Sequence, residues 1–281
     1  MTIYVKIYGG LGNQMFQFAA GYAAAKNKKT KLSLDLDYYK KNNLHNNFEL
    51  QKVFDIKSNV NILVKSNKFN FFKIIKQFDF TVHKFNENQF HYNKNILNIS
   101  NNTILDGYWQ SERYFKKYEN EIKKIFTFKV NLNKIEYNYF DEIYNNNSVS
   151  VHIRRGDFLL KKNDNHKTDL NDYYLEAIKR IAKKFYKVKF YLFTDDPNWV
   201  RNYFNMNYDH KIVDINQKEK SYIDMYFMSL CKANIIANST FSWWSAWLNN
   251  NNDKIICAPR NWFNDKTINT DDLIPRKWLL I

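Results

Sequence analysis

Apolar residues in this chain fall into short runs that switch between a two-residue and a three-to-four-residue period. Ile3 to Tyr8 alternates like a strand, and the Gly9-Gly10-Leu11-Gly12 turn closes it. Met15, Phe18, Ala19 and Tyr22 then recur at helical spacing over Gln14 to Lys26, before a second strand at Lys31 to Leu36. Strand, tight glycine turn, helix and strand in that order predict a βαβ unit, and with it a parallel sheet. Between about residues 40 and 100 the chain is rich in Asn, Lys and Phe and shows no clean period. Thr103 to Tyr108 predicts another strand, followed by helices near Ser111 to Lys124 and Lys134 to Tyr144.

The second half alternates more clearly. Strands are predicted at Val149 to Ile153, Lys189 to Thr194, Ile212 to Asp214, Asn234 to Ala237 and Lys254 to Ala258. Helices fit Asp172 to Lys184, Pro197 to Phe204, Glu219 to Lys232 and Ser242 to Asn249. Pro197 suits the first turn of a helix, where its missing N–H costs nothing. The polar stretch Asn145 to Ser148 marks the expected domain boundary. The expectation is two α/β domains of similar size, residues 1–147 and 148–281, facing each other across a cleft.

Composition narrows the function. An aromatic share of 18% and a hydrophobic share of 44% exclude wholesale disorder. Two cysteines, Cys231 and Cys257, both in apolar runs, exclude a disulfide scaffold and read as buried thiols. With six scattered histidines they assemble no zinc cluster of the usual spacing. No run approaches the roughly 20 apolar residues of a membrane span, and the apolar start is too short for a secretory signal. A soluble, cytoplasmic protein is expected. The net charge of +15, from 43 basic and 28 acidic residues, favours anionic partners: a nucleotide, nucleic acid or an acidic membrane surface. The excess of Asn, Lys, Ile, Tyr and Phe looks like AT-rich coding at tolerant positions, which weakens the nucleic-acid reading.

Two segments carry most of the chemistry. In Val151-His152-Ile153-Arg154-Arg155-Gly156-Asp157, strand alternation puts His152 and Arg154 on one face and Arg155 on the other. They stand at the carboxyl end of a strand, where open α/β sheets bind ligands. Arg154 can clamp a phosphate through two parallel N–H bonds, with Asp157 bracing an arginine. A structural ion pair explains the same residues. In Asn238-Ser239-Thr240-Phe241-Ser242-Trp243-Trp244, hydroxyls crowd a helix start, where they either cap the helix or hold an anion. Asp224 reads as a cap, a dipole partner or a carboxylate that accepts from a base. Thr194-Asp195-Asp196-Pro197 holds a ribose or starts a helix. Asp35 and Asp37 match a metal–diphosphate spacing, but acids at strand ends are ordinary and Arg154 offers a metal-free route.

Together these segments resemble the inverting α-1,2-fucosyltransferases of glycosyltransferase family 11. The matching stretches are GGLGNQMFQFA from Gly9, GYWQSERYF from Gly107, VHIRRGDF from Val151, FTDD from Phe193 and DMYFMSLCKANIIANSTFSWWSAWL from Asp224, in family order. The resemblance implies a GT-B glycosyltransferase fold, with two Rossmann-like domains. The C-terminal domain would bind GDP-fucose, and the N-terminal one would help hold a galactose-terminated glycan. Arg154 would stabilise the departing β-phosphate, helped by Ser239, Thr240 or Ser242, with His152 and Asp224 near the nucleotide. Arg155, Thr194, Asp195 and Asn238 complete the expected donor side. Gly10, Gly12, Asn13 and Gln14 would line the cleft, and Tyr108 and Trp109 would stack on a sugar or pack in the core. Asp157, Glu112 and Asp106 are the candidates for the base that takes the acceptor proton. No metal or other cofactor is expected. The basic surface would suit weak association with a membrane-linked acceptor. The competing readings are a fucosyltransferase of another linkage or acceptor, and a non-catalytic protein that binds nucleic acid or acidic glycan through charge and aromatic rings.

Overall fold

The computed structural model describes residues 1–41, 46–56, 62–64, 82–156, 170–216 and 218–281. The chain forms two compact units, Met1–Lys129 with Asn269–Leu273, and Val130–Ile268 with Ile274–Ile281. Among the described residues no helix is long and apolar enough to cross a membrane.

The first unit holds a five-stranded sheet of β1 (Thr2–Lys6), β2 (Lys31–Asp35), β3 (Ile62–Val64), β4 (His83–Asn86) and β5 (Thr103–Asp106). The spatial order is β3-β2-β1-β5-β4, and every pairing is parallel. The helix Leu11–Asn27 follows β1 and is buried along nearly its whole length. Its Ala-rich sequence favours helix, and Gly21 lets it lie directly on the sheet. A Cβ there would stand 2.2 Å from Val5 Cγ2. The helix begins at Leu11, earlier than its apolar period suggests, because Gly9 takes φ +78° and Gly10 is the N-cap. The short Asn269–Leu273 segment is tied to this unit through Asp272. Its carbonyl accepts from Ser111 Oγ at 2.6 Å, and its carboxylate accepts from Tyr92 N at 3.0 Å and pairs with Arg113.

The second unit has a six-stranded sheet of β6 (Asn147–Ile153), β7 (Val188–Thr194), β8 (His210–Val213), β9 (Ala233–Ile235), β10 (Ile255–Ala258) and β11 (Leu279–Leu280). All pairings are again parallel. The order β8-β7-β6-β9-β10-β11 corresponds to 3-2-1-4-5-6, the doubly wound dinucleotide-binding order, which reverses between β6 and β9. Val149, Val151 and Ile153 pack against Tyr173, Tyr174 and Ile178 of the helix Asn171–Ala182. On the opposite face, Tyr191 and Phe193 pack with Ile143, Ile223, Phe227 and Met228.

That second cluster moves the expected boundary. The helix Lys134–Asn145 belongs to the second unit, because its Ile143 is fully buried against the helix Ser221–Leu230 and its Glu142 bridges Lys189 and Lys211. The units therefore divide after Lys129 rather than at residues 147–148. The polar Asn145–Ser148 stretch is the end of that helix and the start of β6.

Candidate active site

Parallel pairing brings the carboxyl ends of β6, β7, β8 and β9 to one edge of the second sheet, and the order reversal makes the β6–β9 junction its topological switch point. Ile153 lies opposite Thr194, and Val151 opposite Ile235. The residues just beyond these partners are the candidates for the site: Arg154 and Arg155, then Asp195 and Asp196, then Asn238, Ser239 and Thr240.

Asp195 organises the arginines. Its Oδ2 lies 3.0 Å from Arg154 Nη1, and its Oδ1 accepts from the Arg155 backbone N–H at 2.9 Å. Gly156 makes room for this, since a Cβ there would stand 2.7 Å from Asp195 Oδ2. The Arg154 side chain keeps 30% of its surface exposed. A half-exposed pair of this kind contributes about 1 kcal/mol or less to stability, so its main effect is to aim the guanidinium. Arg155 turns aside: its guanidinium carbon sits 3.7 Å from the Trp199 ring centroid, and its Nε is 3.4 Å from Asp196. Asp196 also caps the helix Pro197–Tyr203 by accepting from Trp199 N at 3.1 Å. Thr194 Oγ1 accepts from Asp196 N at 3.0 Å. The bracing assigned in sequence to Asp157 is thus supplied to these arginines by Asp195 and Asp196, whereas Asp157 itself lies outside the described residues.

At the far side of the switch point, Ser239 caps the helix Thr240–Leu248 by accepting from Phe241 N at 3.3 Å. Thr240 stands beside it, partly exposed. Ser242 departs from expectation. It is fully buried, and its hydroxyl turns back to the carbonyls of Ala237 and Ser239 at 3.5 and 3.3 Å. Asn238 is also buried, donating to Trp262 O at 3.0 Å. Trp243 and Trp244 are core, because the whole Ser242–Leu248 face must be dry to seat this helix.

Two buried polar groups lie on the same edge. His152 is held by Tyr174, whose hydroxyl donates to the His152 carbonyl at 2.9 Å, and its ring packs 5.8 Å from Phe241. Burial, reinforced by the Arg154 charge and opposed by Asp195, pushes its imidazole down to about 3, so the ring is neutral near pH 7. Asp224, in the helix Ser221–Leu230, is only 8% exposed. Burial pushes its carboxyl up to about 8, while the Asn216 Nδ2 donor at 2.7 Å pulls the other way. Asn216 Oδ1 and His152 Nδ1 find no protein partner among the described residues. Asn216 carries no sequence signal: it is one asparagine among many.

The first unit sorts its expected residues differently. Gln14 is wholly buried and serves the fold, donating to Gly9 O and Asn47 O at 3.1 and 2.8 Å and accepting from Glu49 N at 2.9 Å. Gly12 is buried in the first helical turn. Gly10 is the N-cap of that helix, and Asn13 accepts from Gln110 Nε2 at 2.9 Å. Trp109 is fully buried and stacks on Phe85 at 5.9 Å, so it is core rather than a sugar platform. Its neighbour Tyr108 is 40% exposed. Of the proposed bases, Glu112 pairs with Lys116 at 3.1 Å and Asp106 with Lys6 at 2.5 Å. Asp35 accepts from Asp37 N at 3.0 Å, and Asp37 pairs with Lys40 at 2.5 Å. Sequence reasoning missed Glu87, which closes β4 in the stretch without a period.

The chain matches glycosyl transferase family 11 over residues 2–281. It is 36% identical to an α-1,2-colitosyltransferase of Escherichia coli, covering 100% of this chain and 99% of that protein. It is 32% identical to the O-antigen biosynthesis glycosyltransferase WbnK of Escherichia coli, covering 96% and 98%. Among solved structures, fucosyltransferase NodZ from Bradyrhizobium superposes with a TM-score of 0.52 at 16% identity, over 87% of this chain and 92% of that one. That likeness shows the fold, GT-B. The arginine-bearing switch point of a nucleotide-type sheet and the family match along the whole chain agree, and the protein is a glycosyltransferase of family 11.

Proposed function

We propose that this glycosyltransferase moves L-fucose from GDP-fucose to the 2-hydroxyl of a terminal β-galactoside, giving an α-1,2 linkage with inversion. The observation that carries the reading is Arg154, half-exposed at the switch point and aimed by Asp195. In a direct displacement the acceptor oxygen bonds to the anomeric carbon as the bond from that carbon to the β-phosphate oxygen breaks. Negative charge grows on the departing diphosphate, and the acceptor proton passes to a base. Arg154 supplies two parallel donors for that charge. The start of the Thr240–Leu248 helix adds free N–H groups, its dipole and the hydroxyls of Ser239 and Thr240. Such donors are fixed before reaction, so they spend no reorganisation at the transition state.

Asp224 suits the guanine. Giving up its proton as the base docks, a carboxylate beside Asn216 accepts from the ring N–H and exocyclic amine of guanine. His152, neutral and buried next to Arg154, shapes the donor side without adding charge. The diphosphate is neutralised by arginine and helix dipole, with no metal. The donor class is supported by a NodZ α-1,6-fucosyltransferase structure soaked with GDP-fucose, although that protein shares the fold at 16% identity.

A second reading keeps the linkage and changes the sugar, because one relative at 36% identity is a colitosyltransferase. Purified protein tested with GDP-fucose and a colitosyl donor against a panel of β-galactosides, with linkage read by NMR, separates the two. An α-1,2-fucosyl product supports the first reading. Turnover with the colitosyl donor alone supports the second, and no turnover with either removes both.

A further inference from the structure

The segment that feeds β7 carries a density of charge unlike the rest of the chain. From Lys179 to Lys187 five of nine residues are basic, Lys179, Arg180, Lys183, Lys184 and Lys187, and no acid occurs between Glu176 and Asp195. Lysine and arginine make up 43 of 281 residues overall, so a general coding bias towards lysine does not account for the cluster. We infer that this segment, with Tyr186 at its tip, docks the protein on the surface of an anionic lipid bilayer.

The fold sets the cluster apart from the candidate active site. The helix Asn171–Ala182 returns the chain from the carboxyl end of β6 to the amino end of β7, where Val188 lies opposite Asn147. Lys183 to Lys187 therefore stand at the edge of the second sheet opposite Arg154. The helix buries Tyr174, Ile178 and Ile181 in the core, which turns its charged face outward. All five cationic side chains are exposed. Arg180 pairs with Glu176 at 2.6 Å, while the four lysines make no ion pair among the described residues.

The tip is held out in solvent. Tyr186 keeps 79% of its surface exposed, whereas Phe185 before it packs against the core. Lys187 takes φ +49°, a left-handed conformation uncommon outside glycine, and Asn147 Nδ2 donates to the Tyr186 carbonyl at 2.7 Å. That bond ties the turn to the first residue of β6. Lys187 Nζ lies 5.3 Å from the Tyr186 ring centroid, so ring and cation are presented together. A bilayer boundary suits both: the ring seats among headgroups with its hydroxyl in water, and the lysines gain from the negative surface potential. A nucleic-acid strand calls instead for a groove with several stacking rings, and Tyr186 is the one exposed ring of this segment.

The test uses the full chain with phosphatidylcholine vesicles, either pure or containing about one-third phosphatidylserine. Co-sedimentation should show binding to the anionic vesicles at least about tenfold tighter than to the neutral ones, weakening as salt is raised. Each lysine near the surface is worth about fivefold in affinity, so Lys183→Ala, Lys184→Ala and Lys187→Ala combined should bind about 100-fold more weakly. Tyr186→Ala should also weaken binding, with its salt dependence kept. A control combining Lys84→Ala, Lys94→Ala and Lys266→Ala removes the same charge from exposed positions elsewhere and should stay within about threefold of wild type. Circular dichroism checks that each variant folds. No preference for anionic vesicles, a cluster variant that binds like wild type, or an equal loss in the control overturns the proposal. So does binding to a single-stranded oligonucleotide without binding to vesicles. No donor or acceptor is present in these measurements, so their outcome does not depend on the proposed function.

Discussion

Asp224→Asn should make the protein more stable above neutral pH and worse at holding GDP. A carboxyl group raised to about 8 in the fold has an ordinary value of 3.8, so the folded state binds its proton more tightly than the unfolded chain does. The stability this confers is complete below pH 4 and is lost as pH rises towards 8. At about 1.36 kcal/mol for each unit of displacement, the ceiling on that loss is about 6 kcal/mol, and relaxation of a buried site brings the realistic figure to about 2–4 kcal/mol. Asparagine keeps an oxygen for the Asn216 donor now at 2.7 Å and removes the ionisation. Urea unfolding of wild type and variant at pH 5 and pH 8.5 isolates the effect, because all other titrating groups cancel in the difference. The variant should gain about 2 kcal/mol or more on wild type at the higher pH relative to the lower, while calorimetry shows GDP binding about tenfold weaker. Equal stability differences at both pH values would refute the buried-acid argument. Unchanged GDP affinity would remove Asp224 from base recognition.

Three further outcomes follow from the geometry. Arg154→Ala should lower kcat by about 10²–10³, the usual cost of one preorganised donor, and shift stability by less than about 1 kcal/mol; steady-state rates and melting curves check both. Gly156→Ala places a Cβ 2.7 Å from Asp195 Oδ2, so it should displace the carboxylate and cut kcat/KM about tenfold with the fold retained by circular dichroism. EDTA should leave fucosyl transfer unchanged, whereas inhibition reversed by Mn²⁺ would restore Asp35 and Asp37 as a metal pair.

How far the sequence reached depended on burial contrast. The first βαβ unit was legible because β1 and β2 flank a glycine turn and an alanine-rich helix. The second half was legible because Phe190–Phe193 and Ile255–Ala258 are continuous apolar runs, as parallel strands covered on both faces are, and because Val149, Val151 and Ile153 alternate along β6. β4 was not: His83-Lys84-Phe85-Asn86 is a mostly exposed edge strand with one apolar residue in four, so no period marks it. Glu87 was missed with it.

At the site, strand alternation and the carboxyl-end rule located Arg154, but residue type does not report burial. Gln14, Ser242 and Trp109 have the chemistry of ligand-binding groups, yet their polar atoms or rings are spent inside the fold. Thr194-Asp195-Asp196-Pro197 was read as holding a ribose or starting a helix; Asp196 does cap the helix, and a parallel register sets Asp195 beside Arg154, where it aims the guanidinium. The unit boundary was misplaced for a similar reason: an amphipathic helix does not announce which sheet will cover its apolar stripe.

On the proposed function, the Arg154 guanidinium receives the diphosphate of a sugar nucleotide at the β6–β9 switch point. The most direct measurement is a crystal structure of the protein soaked with GDP. In that complex β-phosphate oxygens are expected about 3 Å from the Arg154 guanidinium and the N-terminus of the Thr240–Leu248 helix, with the guanine edge on Asp224. GDP bound elsewhere, or Arg154 still turned to Asp195 with no contact to the phosphates in the complex, would contradict it.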